Sequence, residues 1–150
     1  MSYLNELYQQ IILDHNKAPK NFREMEGANR KAEGYNPLCG DKVTIYLQVE
    51  AGTIKDISFQ GSGCAISTAS ASLMTEILKG KTEPETEALF NAFHSLVTGK
   101  TEGPDPTERL GKLMALQGVS EFPVRVKCAT LVWHTLQAAL QEKPQSVSTE

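Results

Sequence analysis

The sequence lacks the features that define several protein classes. Its 150 residues include only 11 Gly and 7 Pro, too few for collagen or for low-complexity disorder. No apolar run approaches the ~18 residues that a membrane-spanning helix needs, and no secretory signal is present in the polar opening MSYLNELYQQ. A net charge of −3 creates no positive field for nucleic-acid phosphates. We therefore expect a cytoplasmic protein that binds neither membranes nor nucleic acids.

Cysteine is also scarce, because the chain contains only Cys39, Cys64 and Cys128. An odd number of widely spaced cysteines, outside a secretory context, argues against a disulfide framework. No Cys-x-x-Cys pair of the zinc-finger type is present. Reduced thiols of this kind are buried packing residues, nucleophiles or metal ligands, and the sequence around each one has to decide between these roles.

Hydrophobic periodicity predicts an α+β fold in a single domain over residues 1–150, with a small antiparallel β-sheet and helices packed on one face. Alternating apolar residues predict a hairpin of two strands at 43–49 and 54–59. Helical spacing predicts helices at 2–15, 64–79, 82–97, 107–117 and 123–141. Residues 21–38 lack periodicity and predict a loop, and residues 143–150 predict a flexible tail.

Two of the cysteines lie where a predicted element begins. Cys39 precedes the first predicted strand, and Gly40 lets the backbone turn so that Cys39 and Asp41 can point to one place. Cys64 lies between the hairpin and a helix N-terminus, where unpaired amides and the helix dipole favour a thiolate.

Cys128 lies in the first turns of the last predicted helix, after Arg125 and Lys127. Two cations so close also favour a thiolate. Three thiolates and the Asp41 carboxylate would complete a tetrahedral site that suits zinc, and thiolates also suit iron–sulfur clusters. Local sequence leaves alternatives open, since cysteine is often a buried apolar residue, which fits Cys128 best of the three, and Asp41 alone fits a turn residue at a strand start.

The segments around the three cysteines resemble those of one protein family. These segments are 36–41 (NPLCGD), 59–67 (FQGSGCAIS) and 118–128 (GVSEFPVRVKC), with DHNK at 14–17 in the opening helix. Together they resemble the SufU/IscU family of iron–sulfur cluster assembly proteins, over most of the chain. The resemblance implies a SufE/NifU-like fold and favours ligand roles for the cysteines.

Two departures separate the branches of that family. Scaffold-type IscU proteins carry a histidine immediately before the third cysteine, whereas this chain has Lys127 there. Those proteins also have a shorter segment between the second and third cysteines, while this chain inserts the predicted helix at 82–97. Both features match the SufU branch.

Membership of the SufU branch implies a zinc ion held by Cys39, Asp41, Cys64 and Cys128. It also implies that Cys39 accepts persulfide sulfur from a SufS-type cysteine desulfurase, which makes the chain a sulfurtransferase-like acceptor protein. Downstream iron–sulfur assembly proteins would be further partners. The alternatives are an IscU-type scaffold that assembles and transfers a 2Fe-2S cluster, and a structural zinc site in an interaction module.

The proposed site carries a surplus of negative charge. Zinc with three thiolates and one carboxylate leaves a net charge near −2. Arg125 and Lys127 are the expected counter-charges around these ligands. The same sequence is also typical of exposed cations at the start of a helix, and this alternative stays open.

Overall fold

The computed structural model describes residues 2–37, 40–100, 107–141 and 147–148. The helices are α1 (Ser2–Lys17), α2 (Ala65–Leu78), α3 (Glu83–Val97), α4 (Thr107–Leu110), a 3₁₀ helix (Gly111–Glu121) and α5 (Pro123–Leu140). The strands are β1 (Arg30–Asn36), β2 (Asp41–Glu50), β3 (Thr53–Ser62) and the two-residue β4 (Val147–Ser148). Among the described helices, none is long and apolar enough to cross a membrane.

The strands form one sheet in the order β3-β2-β1-β4. β3, β2 and β1 are antiparallel, and β4 runs parallel to β1 within the segment predicted as a tail. The predicted β2–β3 hairpin is confirmed, and it turns through Ala51 and Gly52 at φ 51° and 74°. Two successive positive φ values are typical of the type I′ turn, whose twist matches that of the strands.

The prediction of a loop at 21–38 is wrong, because this segment contains β1. The inward-facing residues of β1 are Ala32, Gly34 and Asn36, which are buried but small or polar. α5 approaches so closely that a Cβ at Gly34 would overlap the hydroxyl of Thr135. A strand covered this tightly cannot carry large apolar residues, so it lacks the alternation by which strands are recognised.

The helices cover the apolar face of the sheet, which confirms the predicted α+β class. α5 packs on β1 and β2, α2 packs on β3 and α5, and α1 packs on α2. The core includes Trp133, which is fully buried and stacks on Phe93 with 4.9 Å between ring centroids. α3 begins at the predicted capping box, in which Thr82 and Glu85 exchange hydrogen bonds.

The helix predicted at 107–117 differs from the structure. α4 ends at Leu110, and the chain continues as the 3₁₀ helix. Gly111 has φ 52°, which an α-helix cannot accommodate, so the helical hydrogen-bond pattern changes there. The predicted cap residues Asp105 and Pro106 lie outside the described residues.

A buried histidine joins the end of α1 to α2. The Nδ1 atom of His15 lies 2.6 Å from the Ser72 hydroxyl oxygen, which also accepts a hydrogen bond from the Lys20 backbone N–H. The Nε2 atom of His15 lies 3.7 Å from a carboxylate oxygen of Glu76. His15 is therefore a tertiary contact between helices, held by side chains of α2.

Burial lowers the pKa of His15, an effect that nearby Glu76 opposes and that Lys112 and Lys20 reinforce. The folded protein consequently binds a proton at this site less readily than the unfolded chain does. The contribution of His15 to stability is present above the unfolded pKa near 6.5 and is lost as the pH falls toward the lowered folded value.

We expect the free energy of unfolding to fall between pH 7.5 and pH 5.5, and to fall less in His15→Asn. Asparagine removes the titrating ring but keeps a hydrogen-bonding atom near the position of Nδ1. A tenfold difference in proton affinity between the two states corresponds to about 1.4 kcal/mol. Urea unfolding at both pH values measures this, and equal pH dependence in the two proteins would contradict it.

Candidate metal centre

Three of the four predicted ligands meet at one end of the sheet. Asp41 is the first residue of β2, Cys64 caps the N-terminus of α2, and Cys128 lies in the second turn of α5. One ligand atom from each lies within 4.8 Å of the other two. Cys39, predicted as the fourth ligand and sulfur acceptor, lies outside the described residues.

The strand register explains why these residues meet. Lys42 pairs with Ser62, so the start of β2 lies beside the end of β3, and Cys64 follows two residues later. α5 packs across β1 and β2, which brings Cys128 to the same end of the sheet. Residues distant in sequence are therefore brought together by antiparallel pairing and by one helix packing.

The Asp41 carboxylate is oriented by the backbone of the opposite strand end. It is fully buried, and its Oδ1 accepts a hydrogen bond of 2.8 Å from the Cys64 backbone N–H. Its Oδ2 lies 3.9 Å from the Cys64 Sγ. With Oδ1 engaged by the amide, Oδ2 is the oxygen that lies beside the Cys64 sulfur.

Gly63 makes this close approach possible. A Cβ at Gly63 would overlap Oδ1 of Asp41 and would lie 3.0 Å from its Cγ. Any residue with a side chain would therefore push the carboxylate away from the Cys64 amide.

Cys64 takes the place that serine or aspartate usually occupies at a helix start. Its Sγ accepts a hydrogen bond of 3.4 Å from the Ser67 backbone N–H. The positive end of the helix dipole adds to this, and both effects suit a sulfur that carries negative charge. Cys64 is half-buried, whereas Cys128 is only 1% exposed.

The donor set fits a divalent ion such as zinc. Zinc binds thiolate sulfur at about 2.3 Å and carboxylate oxygen at about 2.0–2.2 Å, so its ligand atoms lie roughly 3.5–4 Å apart in a tetrahedron. The observed spread of 4.8 Å or less needs only small inward movements. Thiolates and a carboxylate at such a buried place require a compensating cation, since unpaired buried charge is costly. Three ligands leave one tetrahedral position for a fourth.

The two predicted counter-charges differ in exposure. Arg125 is exposed, and its guanidinium carbon lies 4.5 Å from the ring centroid of Phe122, in cation–π contact. Lys127, the residue immediately before Cys128 in α5, is half-buried. Their role as counter-charges to the ligands stays a prediction.

Two residues that shape the site, Gly63 and Asn36, carry no role that the local sequence predicts. Gly63 lies within the second cysteine segment, yet a single glycine there gave no sign of the carboxylate beside it. Asn36 lies in the segment interpreted as a loop, and its side-chain amide is 3.4 Å from Oδ2 of Asp41 and 3.6 Å from Sγ of Cys128. Asn36 is the first residue of the segment 36–41 that resembles the family, but only the recognition of β1 as a strand would have placed its side chain beside Asp41.

Comparison with known proteins yields consistent matches. The family described as NifU-like N terminal domain matches residues 7–142. The zinc-dependent sulfurtransferase SufU of Bacillus subtilis is 38% identical over 93% of each chain. The iron–sulfur cluster assembly scaffold protein IscU of Streptococcus pyogenes is 40% identical, over 94% of this chain and 87% of the relative. The crystal structure of a Fervidobacterium islandicum SufU, described as an iron–sulfur cluster assembly scaffold protein for the SUF system, superposes with a TM-score of 0.81 at 37% identity, over 87% of this chain and 94% of that one.

Proposed function

This chain belongs to the family of NifU-like N-terminal domains, and on that premise we propose that it is a zinc-dependent sulfur acceptor in iron–sulfur cluster assembly. The name of the Bacillus subtilis relative supports the sulfurtransferase role for a sequence of this kind. Lys127, in the position where scaffold-type proteins have histidine, supports the same branch.

The observation that carries the proposal is the convergence of Asp41, Cys64 and Cys128 within 4.8 Å. These residues would hold zinc, with Cys39 as the fourth ligand. When bound, zinc would keep its ligand thiols deprotonated near neutral pH. The amide hydrogen bonds at Asp41 and Cys64 support permanent ligand roles for these two residues.

Cys39 is the proposed acceptor. Its thiolate attacks the terminal sulfur of the persulfide carried by a cysteine desulfurase. A new sulfur–sulfur bond forms at Cys39, the bond within the enzyme's persulfide breaks, and the enzyme's cysteine leaves as a thiolate. Gly40, at φ 71° with no atom within 4 Å of an added Cβ, gives the chain freedom to turn beside the acceptor.

The proposed partners follow from this chemistry. A SufS-type cysteine desulfurase supplies the persulfide, and downstream iron–sulfur assembly proteins receive the sulfur. Sulfur acceptance by Cys39 and metal binding by Cys64 and Cys128 both require reduced thiols. For that reason we place the protein in the cytoplasm.

A scaffold for a 2Fe-2S cluster is the second candidate function. The name of the Streptococcus pyogenes relative favours it, and two thiols converging at one place would suit a cluster as cargo. The two functions make different demands, since a scaffold must hold iron and sulfide, whereas an acceptor must take sulfur from a desulfurase.

Metal analysis combined with a desulfurase assay distinguishes the functions. We expect protein purified without reconstitution to contain about one zinc per chain, which is the stoichiometry of one tetrahedral site. We also expect that adding this protein to a SufS-type desulfurase raises the turnover of that enzyme. A stable visible-absorbing iron centre without such stimulation would instead establish the scaffold. Zinc with neither activity would indicate a structural site.

A further inference from the structure

Asn36 is a polar side chain placed between two of the metal-ligand candidates. It is the last residue of β1, where it pairs with Asp41 at the start of β2, and it is fully buried. The same amide nitrogen, Nδ2, lies 3.4 Å from Oδ2 of Asp41 and 3.6 Å from Sγ of Cys128. The two hydrogens of that nitrogen can be shared between the carboxylate and the sulfur.

The chemistry of these contacts is directional. An amide NH₂ group can only donate, and both of its neighbours are acceptors when they are ionised. Asp41 and Cys128 are buried and would carry like charges less than 5 Å apart, which costs free energy unless donors lie between them. Asn36 supplies those donors at no cost in charge, whereas a cation there would compete with the metal.

Asn36 differs from the other hydrogen-bond donors at the metal centre because it donates from its side chain. Oδ1 of Asp41 is held by the Cys64 amide, and Sγ of Cys64 is held by the Ser67 amide. Both of those donors belong to the backbone. The side chain of Asn36 instead lies near both Asp41 and Cys128, and it can be changed by substitution.

We propose that Asn36 is a positioning residue that holds Asp41 and Cys128 together as ligands and thereby slows the loss of bound zinc. The inference rests on the proposed function, because it assumes that these residues bind the metal. It goes beyond that function because it assigns a role in zinc retention to Asn36, a residue of β1 that does not itself bind the metal.

The test measures zinc release to a chelator from the full chain and from Asn36→Asp, at a temperature where both are folded by circular dichroism. Aspartate has nearly the volume of asparagine, but its ionised carboxylate offers the neighbouring anions only acceptors and its protonated form offers one donor in place of two. We expect zinc release to accelerate by about tenfold, as is typical when a residue behind a metal ligand is changed. The visible absorption of the Co²⁺-loaded proteins should also shift, because the ligand geometry around the ion changes.

Asn29→Ala provides the matched control. Asn29 exchanges two hydrogen bonds with the Val49 backbone at the opposite end of the sheet, so its loss weakens β1 packing without touching the centre. We expect this variant to be less stable but to release zinc at the rate of the unchanged protein.

The outcomes separate the inference from the proposed function. If the unchanged protein binds no zinc, the proposed function fails. If it binds zinc and Asn36→Asp retains the ion equally well, only the role of Asn36 is overturned. Should Asn36→Asp fail to fold, Asn36→Thr replaces it, since threonine keeps the volume and one donor and should give an intermediate rate. Failure of both variants to fold even with zinc would make Asn36 a folding residue and overturn the inference.

Discussion

Replacing Cys39 with alanine is expected to reduce desulfurase turnover to the level of the desulfurase alone. The reason is that the variant lacks the thiolate that takes the sulfur, so no persulfide can form on this chain. Turnover is measured with saturating zinc present, because the substitution also removes one proposed ligand. Mass spectrometry of the unchanged protein should locate the added sulfur atom on the peptide that contains Cys39.

The control for this experiment is a variant that weakens the metal site but keeps Cys39. Gly63→Ala serves this purpose, and with excess zinc it should still accept sulfur. Stimulation by Cys39→Ala, or persulfide found first on Cys64 or Cys128, would show that a different thiol is the acceptor.

Gly63→Ala is expected to weaken zinc retention by about 10- to 100-fold, within the range seen when the support of a metal ligand is lost. The added methyl group would overlap Oδ1 of Asp41, so the carboxylate must rotate away from the Cys64 amide. Such overpacking also typically costs about 1–3 kcal/mol of stability. Zinc release to a chelator and urea unfolding measure the two effects separately.

Gly27→Ala is the matched control, because it adds the same methyl group at a glycine with no atom within 4 Å and no positive φ. We expect its zinc release to equal that of the unchanged protein. Equal zinc retention by Gly63→Ala and Gly27→Ala would mean that the orientation of Asp41 does not control the site.

Elements with strong local signals were predictable from the sequence. The capping box of Thr82 and Glu85 marked the start of α3, and alternating apolar residues marked β2 and β3. β1 was missed because its buried side chains are small, and the change to a 3₁₀ helix at Gly111 depends on a backbone angle. Local patterns therefore predicted the elements that are marked by a capping motif or by alternating apolar residues. They failed for β1, whose buried residues are small or polar because α5 packs closely on it.

The candidate site divides in the same way. The local sequence around the cysteines and Asp41 left packing and turn roles open, and only the combined segments pointed to one family and a shared metal. Only the tertiary structure decided which atoms face one another. The carboxylate is oriented by an amide two strands away along the chain, and the strand carrying Asn36 is positioned by α5. Such contacts arise from strand register and helix packing, which join residues far apart in sequence and leave no periodic signal within any one segment.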